Sequence, residues 1–408
     1  MSDWLNGSPH ATALAFEGGA VRYVELAQGV AGAGLPAGDG PVACPAGLDA
    51  VTLVIRVLAA LDRGRPVLVG GTQREADALA ASLPAGTELA LLTSGSSGGA
   101  PRVVARTSRS WLASAGPLAE VAGLGRDDRI AVTGPLHASM HLYAVLHALW
   151  LGATATDAID GASVAHATPT RLARMLDSGH CPPSVVVAGA VLAPSLRAVA
   201  EHRGIRLTEY YGAAELSFVL AGCGGDLRPF PGVEVQLRPS AATDDATELW
   251  ARSPYLALGV IGGGMLRRDD DAFATVGDLA EHVATGAWRV LGRGDAAITT
   301  AGATVLAEHV ESRLVEVPGV LAAAVLGEPH DLLGERVVAV VELEPGASLD
   351  EVARAARGRL TAPELPRRWF AAPVPHTASG KVARRELRDA LASGRLDESA
   401  APTRSGRA

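Results

Sequence analysis

The 408-residue sequence is poor in lysine, in cysteine and in aromatic residues. Of its 36 basic residues only Lys381 is a lysine, which leaves 35 arginines. The three cysteines (Cys44, Cys181 and Cys223) lie far apart and form no C-x-x-C pair. This spacing excludes the usual zinc frameworks and favours reduced thiols over a disulfide scaffold. Aromatic residues make up 4% of the chain, and alanine supplies much of its apolar content.

The sequence also lacks membrane and secretion signals. No apolar run approaches the roughly 20 residues that span a bilayer, and the N-terminus has neither the basic start nor the apolar stretch of a secretory signal. A formal net charge of −8 disfavours a protein whose main task is to neutralise nucleic-acid phosphates. We therefore expect a cytoplasmic protein whose partner is neither a membrane nor a nucleic acid. Whether the protein forms a homodimer is left open.

What the chain has in quantity is apolar residues in periodic patterns. With 48% hydrophobic and 20% charged residues it has the composition of a globular protein, and its length allows two or three domains. Short valine-rich runs alternate with stretches of Ala, Leu and Arg at helical spacing, as in residues 58–69 and 169–188. This alternation predicts an α/β fold with largely parallel sheets flanked by helices. Residues 29–47, rich in Gly, Pro and Ala, are predicted to form a loop.

A second domain is predicted after the sequence Gly-Arg-Gly-Asp at residues 292–295. The pattern beyond it predicts a small α+β unit, with a helix at 307–317, strands at 321–326 and 336–343, and a helix at 349–360. The last residues carry almost no large apolar side chain, which predicts a frayed tail. The predicted divisions are an N-terminal domain at 1–292, a C-terminal domain at 293–391 and a tail at 392–408.

The strongest local signal is a loop rich in hydroxyl and glycine residues between two apolar strands. Glycines let backbone amides approach an anion closely, and hydroxyls add donors, so this composition suits a polyphosphate. The loop is not a Walker A loop, which requires Gly-Lys-Ser/Thr after four residues. Its candidate phosphate-binding residues are Thr93, Ser94, Gly95, Ser96, Ser97, Gly98 and Arg102.

Two other interpretations of this loop stay open on composition alone. The loop could be a hairpin that binds no ligand. Residues 95–99 also match G-x-S-x-G, the nucleophile elbow of serine hydrolases, but that elbow leads from a strand into a helix. Because Pro101 and a β-branched run follow, the loop is predicted to join two strands, which disfavours a hydrolase.

Five segments resemble the acyl-adenylating superfamily of AMP-forming acyl-CoA synthetases, carrier-protein adenylation domains and luciferases. They are the hydroxyl loop; residues 211–215, like Tyr-Gly-x-Thr-Glu; 276–278, like Thr-Gly-Asp; 292–295, like Gly-Arg-x-Asp; and 375–384, like Pro-x-Thr-x-Ser-Gly-Lys-x-x-Arg. Each motif is short, so the resemblance depends on all five occurring in family order. It implies a large N-terminal domain of sheets flanked by helices and a small α+β C-terminal domain that rotates about a hinge at Asp295.

The resemblance also implies roles for single residues in the activation of a carboxylic acid by ATP. Joining a carboxylate to the α-phosphate brings two anions together, so the site needs positive charge and a metal where negative charge builds up. Glu215 would help to bind Mg²⁺, and Lys381 would bridge the carboxylate and the α-phosphate. Tyr211 would stack on adenine, and Asp278 would accept from the ribose hydroxyls. The implied nucleotide-binding residues beyond the loop are Ala190, Tyr211, Gly212, Ala214, Asp278 and Arg293, and those facing the thiol are Ala301 and Gly302.

This chain departs from the family pattern in several ways. Arg102 stands where the phosphate loop usually has a lysine, and a guanidinium can still serve phosphate. Ala214 replaces the usual threonine, which removes a hydroxyl beside the nucleotide. The chain is also short, mainly before Thr93, and in this respect it is most similar to compact ligases resembling o-succinylbenzoate–CoA ligase.

The acyl group is predicted to lie against three segments near the tyrosine of the second motif. The residues assigned to this pocket are His137, His141, Ala188, Gly189 and Tyr210. The first two segments contain no Asp or Glu to bind an amino group, so small aryl or short acyl acids are favoured over amino acids. His137 and His141 have the i, i+4 spacing of helical metal ligands, but no third ligand is evident, and we predict that they line the pocket.

The thiol acceptor is predicted to be CoA. A carrier-protein phosphopantetheine is the alternative within the same class, and the acidic charge of this chain does not discriminate, since acyl carrier proteins are acidic too. A protein that binds nucleotide or acyl ligand without turnover is the alternative from another class. The expected cofactors are ATP, Mg²⁺ and CoA or phosphopantetheine, and the expected partners are a small carboxylic acid and CoA or an acyl carrier protein.

Overall fold

The computed structural model describes residues 3–93, 102–240, 247–263, 266–283, 286–293, 297–300, 303–377 and 382–396. Within these ranges no helix is long and apolar enough to cross a membrane. The helices are α1 Tyr23–Gly32, α2 Ala50–Asp62, α3 Gln73–Leu79, α4 Ser108–Ala122, α5 Ser139–Leu151, α6 Pro169–Ser178, α7 Pro194–His202, α8 Ala307–Leu314, α9 Leu349–Ala356 and α10 Arg384–Ala392.

The described residues also form twenty-five strands. The first thirteen are β1 Thr12–Phe16, β2 Gly19–Arg22, β3 Val42–Pro45, β4 Val67–Gly70, β5 Leu89–Thr93, β6 Arg102–Arg106, β7 Arg129–Val132, β8 Thr154–Thr156, β9 Val164–Ala167, β10 Ser184–Val187, β11 Arg206–Ala213, β12 Ser217–Cys223 and β13 Asp226–Pro229. The others are β14 Glu234–Pro239, β15 Thr247–Arg252, β16 Gly259–Ile261, β17 Arg267–Arg268, β18 Ala274–Thr275, β19 Asp278–His282, β20 Trp288–Arg293, β21 Ala297–Thr300, β22 Ala303–Leu306, β23 Val320–His330, β24 Gly334–Leu343 and β25 Arg368–Ala371.

The largest sheet has 15 strands and a parallel centre. Its order is β17-β18-β15-β19-β20-β13-β12-β11-β10-β9-β7-β8-β1-β2, and β14 pairs with β15. The strands from β11 to β1 in this order pair in parallel. Helices α5, α6 and α7 connect strands of this run, as crossovers between parallel strands require.

The prediction of largely parallel sheets is correct for this centre and wrong for the flank of the same sheet. From β11 to β20 the described residues contain no helix, and successive strands are joined by turns or short loops. Strands joined in this way pair antiparallel, because a parallel pair needs a long crossover. The pairs β11–β12, β12–β13 and β19–β20 are accordingly antiparallel.

A second sheet, in the order β16-β6-β5-β4-β3, packs within the N-terminal part of the chain. Its strand β3 lies within residues 29–47, which were predicted to be a loop, and the end of α1 lies there too. The prediction was therefore wrong at both ends of this segment. Val42 and Cys44 are fully buried and β3 pairs in parallel with β4, so tertiary packing outweighs the Gly- and Pro-rich composition.

The third sheet, β22-β21-β24-β23 with β25 beside β24, forms the small α+β unit predicted near the C-terminus. The elements predicted there are confirmed as α8, β23, β24 and α9, although both helices end earlier and β23 extends further than predicted. This sheet has its own apolar cluster, which includes Val310, Val325 and Trp369 and is separate from the main core. The proposed domain boundary after residue 292 falls one residue before the end of β20 of the first sheet, and the next strand, β21, belongs to the third sheet.

Local capping sequences set the start and end of the helices that follow the central strands. The Thr168 hydroxyl accepts from the backbone N–H of Arg171, and Pro169 is the first residue of α6. Gly179, with φ of 74°, ends the same helix in the left-handed conformation. Helix α6 therefore starts immediately after β9 and places its first turn at the carboxyl end of the parallel strands.

Candidate active site

The predicted acyl and nucleotide segments meet at one edge of the large sheet. Val132 pairs with His166, and Val187 pairs with both Ala167 and Glu209 across neighbouring strands, so the carboxyl ends of β7, β9 and β10 are level. In open α/β sheets ligands bind outside this edge. The segment after β7, the segment after β10 and the end of β11 therefore border the same space, as the sequence predicted.

The hydroxyl loop starts and ends in a β-hairpin. Thr93 ends β5 and is the register partner of Arg102, which begins β6, and the Thr93 hydroxyl donates to the Arg102 carbonyl oxygen at 3.3 Å. The loop thus connects two antiparallel strands, and the alternative of a strand-to-helix nucleophile elbow is wrong. The predicted phosphate-binding residues between them lie outside the described residues: Ser94, Gly95, Ser96, Ser97 and Gly98.

Three predicted nucleotide-binding positions come together through one hydrogen bond and one strand pair. The Tyr211 hydroxyl donates to Oδ2 of Asp278, which is 67 residues away in the sequence. Asp278 is 8% exposed and is the register partner of Arg293 on the next strand. The carboxylate of Asp278, the phenol of Tyr211 and the backbone of Arg293 therefore form one end of the candidate nucleotide site, while the side chain of Arg293 lies outside the described residues.

Glu215 lies in the tight turn between β11 and β12 and is 6% exposed. Its carbonyl oxygen accepts from the N–H of Ala257 at 2.8 Å. A Cβ at Gly212 would lie 2.1 Å from the Ser217 carbonyl oxygen, so only glycine fits there. The backbone around Glu215 and its partly buried neighbour Ala214 is thus fixed by close contacts, and within the described residues no hydrogen bond or ion pair occupies the Glu215 carboxylate.

Arg106, the last residue of β6, is a buried cation behind this turn that the sequence analysis missed. It is 1% exposed, and its guanidinium donates to the Ala214 carbonyl oxygen at 3.3 Å and to the Tyr255 carbonyl oxygen at 2.5 Å. Burial lowers the pKa of Arg106 to about 9, and attraction to Tyr143 and Glu215 opposes this change. One arginine among 35 carries no distinguishing signal, so only the tertiary contacts identify it.

The two predicted pocket histidines differ in their surroundings. His137 lies in the turn before α5 and is partly exposed, whereas His141 on α5 is 2% exposed. Burial lowers the pKa of His141 to about 4, with a further lowering by Arg171 and His137, so the ring is neutral at pH 7. A Cβ at Gly134 would lie 2.1 Å from His141 Nε2, so the ring fills the space beside the end of β7. In the described part of the chain no group of three or more metal-binding side chains contains either histidine.

The remaining predicted pocket residues follow β10 or lie on β11. Ala188 is buried and its N–H donates to the Ala167 carbonyl oxygen at 3.1 Å, while Gly189, with φ of 94°, turns the chain and leaves Ala190 exposed. Tyr210 points to the opposite face of β11 from Tyr211, as alternation along a strand requires. Its ring lies 4.6 Å from that of Phe218, and burial raises its pKa. Tyr210 therefore packs against the core beside the site.

A cavity of about 480 Å³ adjoins the acyl segment at the carboxyl end of β7. Two arginines of α6, Arg171 and Arg174, line it with no ion pair or side-chain hydrogen bond in the described residues, and the sequence analysis did not single them out. The sequence signal that could have identified these two arginines is their i, i+3 spacing on a helix that follows β9. The other lining residues are Val132, Thr133, Gly134, Pro135, Asp157, Ile159, Met175, Ser178 and His180.

In the C-terminal unit, an ion-pair cluster connects the last motif to α8. Arg384 donates to Oε2 of Glu311 at 2.6 Å and approaches Oε1 of Glu308 at 3.5 Å. Burial raises the pKa of Glu311 to about 7, although Arg384 opposes that rise. A Cβ at Gly292, where φ is 107°, would lie 2.1 Å from Glu308 Oε2, so α8 packs closely on the end of β20. The predicted catalytic, hinge and thiol-side residues of this unit lie outside the described residues: Lys381, Asp295, Ala301 and Gly302.

Comparison with known proteins finds one matching family model and several relatives that resemble this chain. Residues 309–381 match the family model described as the AMP-binding enzyme C-terminal domain. The chain is 27% identical over 327 residues to an uncharacterized acyl-CoA ligase of Bacillus subtilis, covering 72% of this chain and 67% of that protein. It is 28% identical over 371 residues to 2-hydroxy-7-methoxy-5-methyl-1-naphthoate–CoA ligase of Streptomyces carzinostaticus, covering 80% of this chain and 66% of that one. Matches to further curated ligases span less of their length, down to 23%.

The fold agrees along nearly the whole chain with a solved relative. The o-succinylbenzoate CoA synthetase of Bacillus subtilis, in complex with its acyl-adenylate intermediate, superposes with a TM-score of 0.75 at 20% identity, covering 95% of this chain and 98% of that one. The large sheet-and-helix domain followed by a small C-terminal domain is the adenylate-forming fold. In sequence the chain is similar to acyl-CoA ligases, and its residues 309–381 match the C-terminal domain of AMP-binding enzymes.

Proposed function

We propose that this protein is an AMP-forming acid–CoA ligase. In the first step a carboxylate oxygen of the acid attacks the α-phosphorus of ATP, and pyrophosphate leaves. In the second step the sulfur of CoA attacks the acyl carbon, AMP leaves, and the thiol proton is released. The observation that carries the proposal is the Tyr211–Asp278 hydrogen bond beside the Glu215 turn, at the sheet edge where the acyl segments end.

The nucleotide would lie between the end of β11 and strand β19. Asp278 can accept hydrogen bonds from ribose hydroxyls, and its bond with Tyr211 fixes the phenol ring as a flat surface for adenine. The Thr93–Arg102 hairpin base would direct the hydroxyl loop at the β- and γ-phosphates. Lys381, the single lysine, would place a compact ammonium between the carboxylate and the α-phosphate, where a planar guanidinium fits poorly.

The residues present fit a magnesium ion at Glu215. Mg²⁺ prefers carboxylate, phosphate and water oxygens, and usually takes only one or two carboxylates from the protein. Glu215 is 6% exposed and faces the positive charge of Arg106 without forming an ion pair within the described residues, so its oxygens stay available. Bound there with ATP, the ion would neutralise charge on the phosphates.

The acid would enter beside His137 and His141, along a segment that contains no carboxylate. His141 is buried and uncharged at pH 7, and the segments after β7 and β10 offer no carboxylate to an amino group. This supports an aryl or short acyl acid over an amino acid. The naphthoate specificity in the name of one relative points the same way, to an aromatic acid.

The acceptor is proposed to be CoA, because the curated relatives named above are CoA ligases. The domain at 293–391 would rotate about Asp295 between the two steps, so that Ala301 and Gly302 replace Lys381 at the acyl-adenylate. Mg²⁺, a cytoplasmic location and a homodimer also remain proposals. The three cysteines, all free thiols, fit a reducing compartment.

The decisive experiment is ATP–pyrophosphate exchange over a panel of carboxylic acids. Exchange that depends on one class of acid is expected, and its absence with every acid would favour a protein that binds without turnover. Thioester formation is then compared with CoA and with a phosphopantetheinyl carrier protein as acceptors. Transfer to the carrier protein alone would establish the stand-alone adenylation enzyme instead.

A further inference from the structure

The guanidinium of Arg106 has only neutral hydrogen-bond partners among the described residues. Its Nε donates to the Ser110 hydroxyl at 3.2 Å, and its two Nη atoms donate to the carbonyl oxygens of Ala214 and Tyr255. Its Cζ lies 5.1 Å from the centre of the Trp111 ring. No carboxylate of the described residues forms an ion pair with this cation, although Glu215 is near enough to attract it.

Fold stability alone does not account for a cation at this position. The three preceding residues of β6 are apolar and at most 3% exposed, so the strand runs through the core. Burying a charge is unfavourable, and well-packed apolar residues in place of buried charges are often equally or more stable. An apolar residue at position 106 would satisfy the packing of β6 but would leave the carbonyl oxygens of Ala214 and Tyr255 without this donor, so the guanidinium serves these backbone partners.

The hydrogen bonds of Arg106 connect the two backbone segments that enclose Glu215. On one side it binds the carbonyl of Ala214, the peptide group immediately before Glu215. On the other side it binds the carbonyl of Tyr255, two residues before Ala257, whose N–H binds the Glu215 carbonyl oxygen. The contacts form a closed ring that fixes the backbone of Glu215 and uses none of its carboxylate oxygens.

We infer that Arg106 is a positioning residue for Glu215: it fixes the turn and supplies positive charge behind a carboxylate whose oxygens stay available to the Mg²⁺ that accompanies ATP. The inference rests on the proposed function. Partners that orient a ligating carboxylate raise the affinity for the metal, and their loss lowers it. Arg106 itself touches neither substrate nor metal, so its effect appears in metal-dependent binding.

The test measures the dissociation constant of ATP by calorimetry, with excess Mg²⁺ and with EDTA, for the full-length wild type and for R106M and R106K. The ratio of the two constants is the gain in affinity due to the metal. In R106M this gain should fall about tenfold or more, while the affinity for ATP in EDTA stays unchanged. R106K should lose less of this gain than R106M, because an ammonium keeps the positive charge. It should still lose part of the gain, because an ammonium cannot reach both carbonyls in the fork geometry of a guanidinium.

A matched control removes a different arginine, one that binds the strand leading into the turn. Arg197 donates twice to Glu209 of β11, each bond at 2.8 Å, six residues before Glu215. R197M should lower the unfolding temperature and leave the metal-dependent gain unchanged. An unchanged gain in R106K and in folded R106M, or an equal loss in R197M, would overturn the inference. If R106M does not fold, R106K decides. No metal-dependent gain in the wild type would instead reject the magnesium site of the proposed function.

Discussion

The nucleotide side and the acyl side of the candidate site are built on different physical principles. On the nucleotide side, polar motif residues bind one another directly, as Tyr211 binds Asp278, and the Glu215 turn is fixed by backbone contacts. On the acyl side, the predicted residues are a buried neutral histidine, small residues and the border of a cavity of about 480 Å³. The first arrangement requires particular functional groups, whereas the second requires mainly shape.

This difference matches the division of labour in an adenylating enzyme. ATP is the same in every such reaction, so its site can be specified by a few side chains with defined donors and acceptors. The acid differs between enzymes, and the buried neutral His141 and the small residues beside it would discriminate by volume and contour, next to a cavity lined by Arg171 and Arg174. Changes on the nucleotide side should therefore alter ATP parameters, and changes on the acyl side should alter acid parameters.

The largest effect is expected for Lys381→Ala. Removing a cation that stabilises the charge of the adenylation transition state should lower the rate of acyl-adenylate formation by about 10²- to 10³-fold or more. Thioester formation from supplied acyl-AMP should remain largely intact, because that step would use the thiol-side loop. Pyrophosphate exchange and single-turnover thioester assays measure the two steps. Equal loss of both would contradict the rotation of the C-terminal domain.

Asp278→Asn should come next, with a rise in KM for ATP of about ten- to a hundredfold, since hydrogen bonds to charged groups contribute about 1.5–3 kcal/mol. The KM for the acid should change little. Tyr211→Phe tests the same pair, and the double variant should cost less than the sum of the two single changes. Full additivity of the two changes in steady-state kinetics would show that the bond between these residues does not matter for ATP.

Gly134→Ala should act on the acyl side alone. The new Cβ would lie 2.1 Å from His141 Nε2, so the ring must move, at a cost of about 1–3 kcal/mol for overpacking. We expect a raised KM for the acid with an unchanged KM for ATP. Gly125→Ala is the control, because its Cβ would meet no atom within 4 Å. A shift in the KM for ATP as large as that for the acid would remove the distinction between the two sides.

The last prediction concerns how the free energy of unfolding depends on pH through three buried histidines. Burial lowers the pKa values of His141, His147 and His166 to about 4, 4 and 3, from an ordinary value of 6.5. Between pH 6.5 and about 4 the unfolded chain binds protons that the folded chain does not, so stability falls as pH falls, by at most about 1.4 kcal/mol per pH unit for each group.

Urea unfolding at several pH values in this window tests that expectation. His147→Gln should reduce the slope of unfolding free energy against pH by at most about 1.4 kcal/mol per pH unit, because one group with a lowered pKa is removed. Stability of this variant at pH 7 can change as well, since His147 Nε2 binds the Ala115 carbonyl oxygen, so the slope is the relevant quantity. An unaltered slope would mean that His147 is not buried in the neutral form.

The sequence predicted the elements of the small C-terminal unit and the two strands around the hydroxyl loop because these depend on local periodicity and turn residues. It could not predict β3, whose short apolar run lies in Gly- and Pro-rich surroundings and is stabilised by pairing with β4. Nor could it predict the antiparallel flank of the large sheet, since pairing direction depends on which connections contain a helix.

By itself the sequence indicated the family resemblance and the chemical inventory of the candidate site: the order of five motifs, the single lysine and the carboxylates Glu215 and Asp278. Only the tertiary structure decided which of these groups touch and which further residues support them. Arg106 binds carbonyl groups 108 and 149 residues away, and Tyr211 meets Asp278 across 67. Such contacts leave no local pattern, because the free energy of a buried polar group depends on the partners that the fold brings to it.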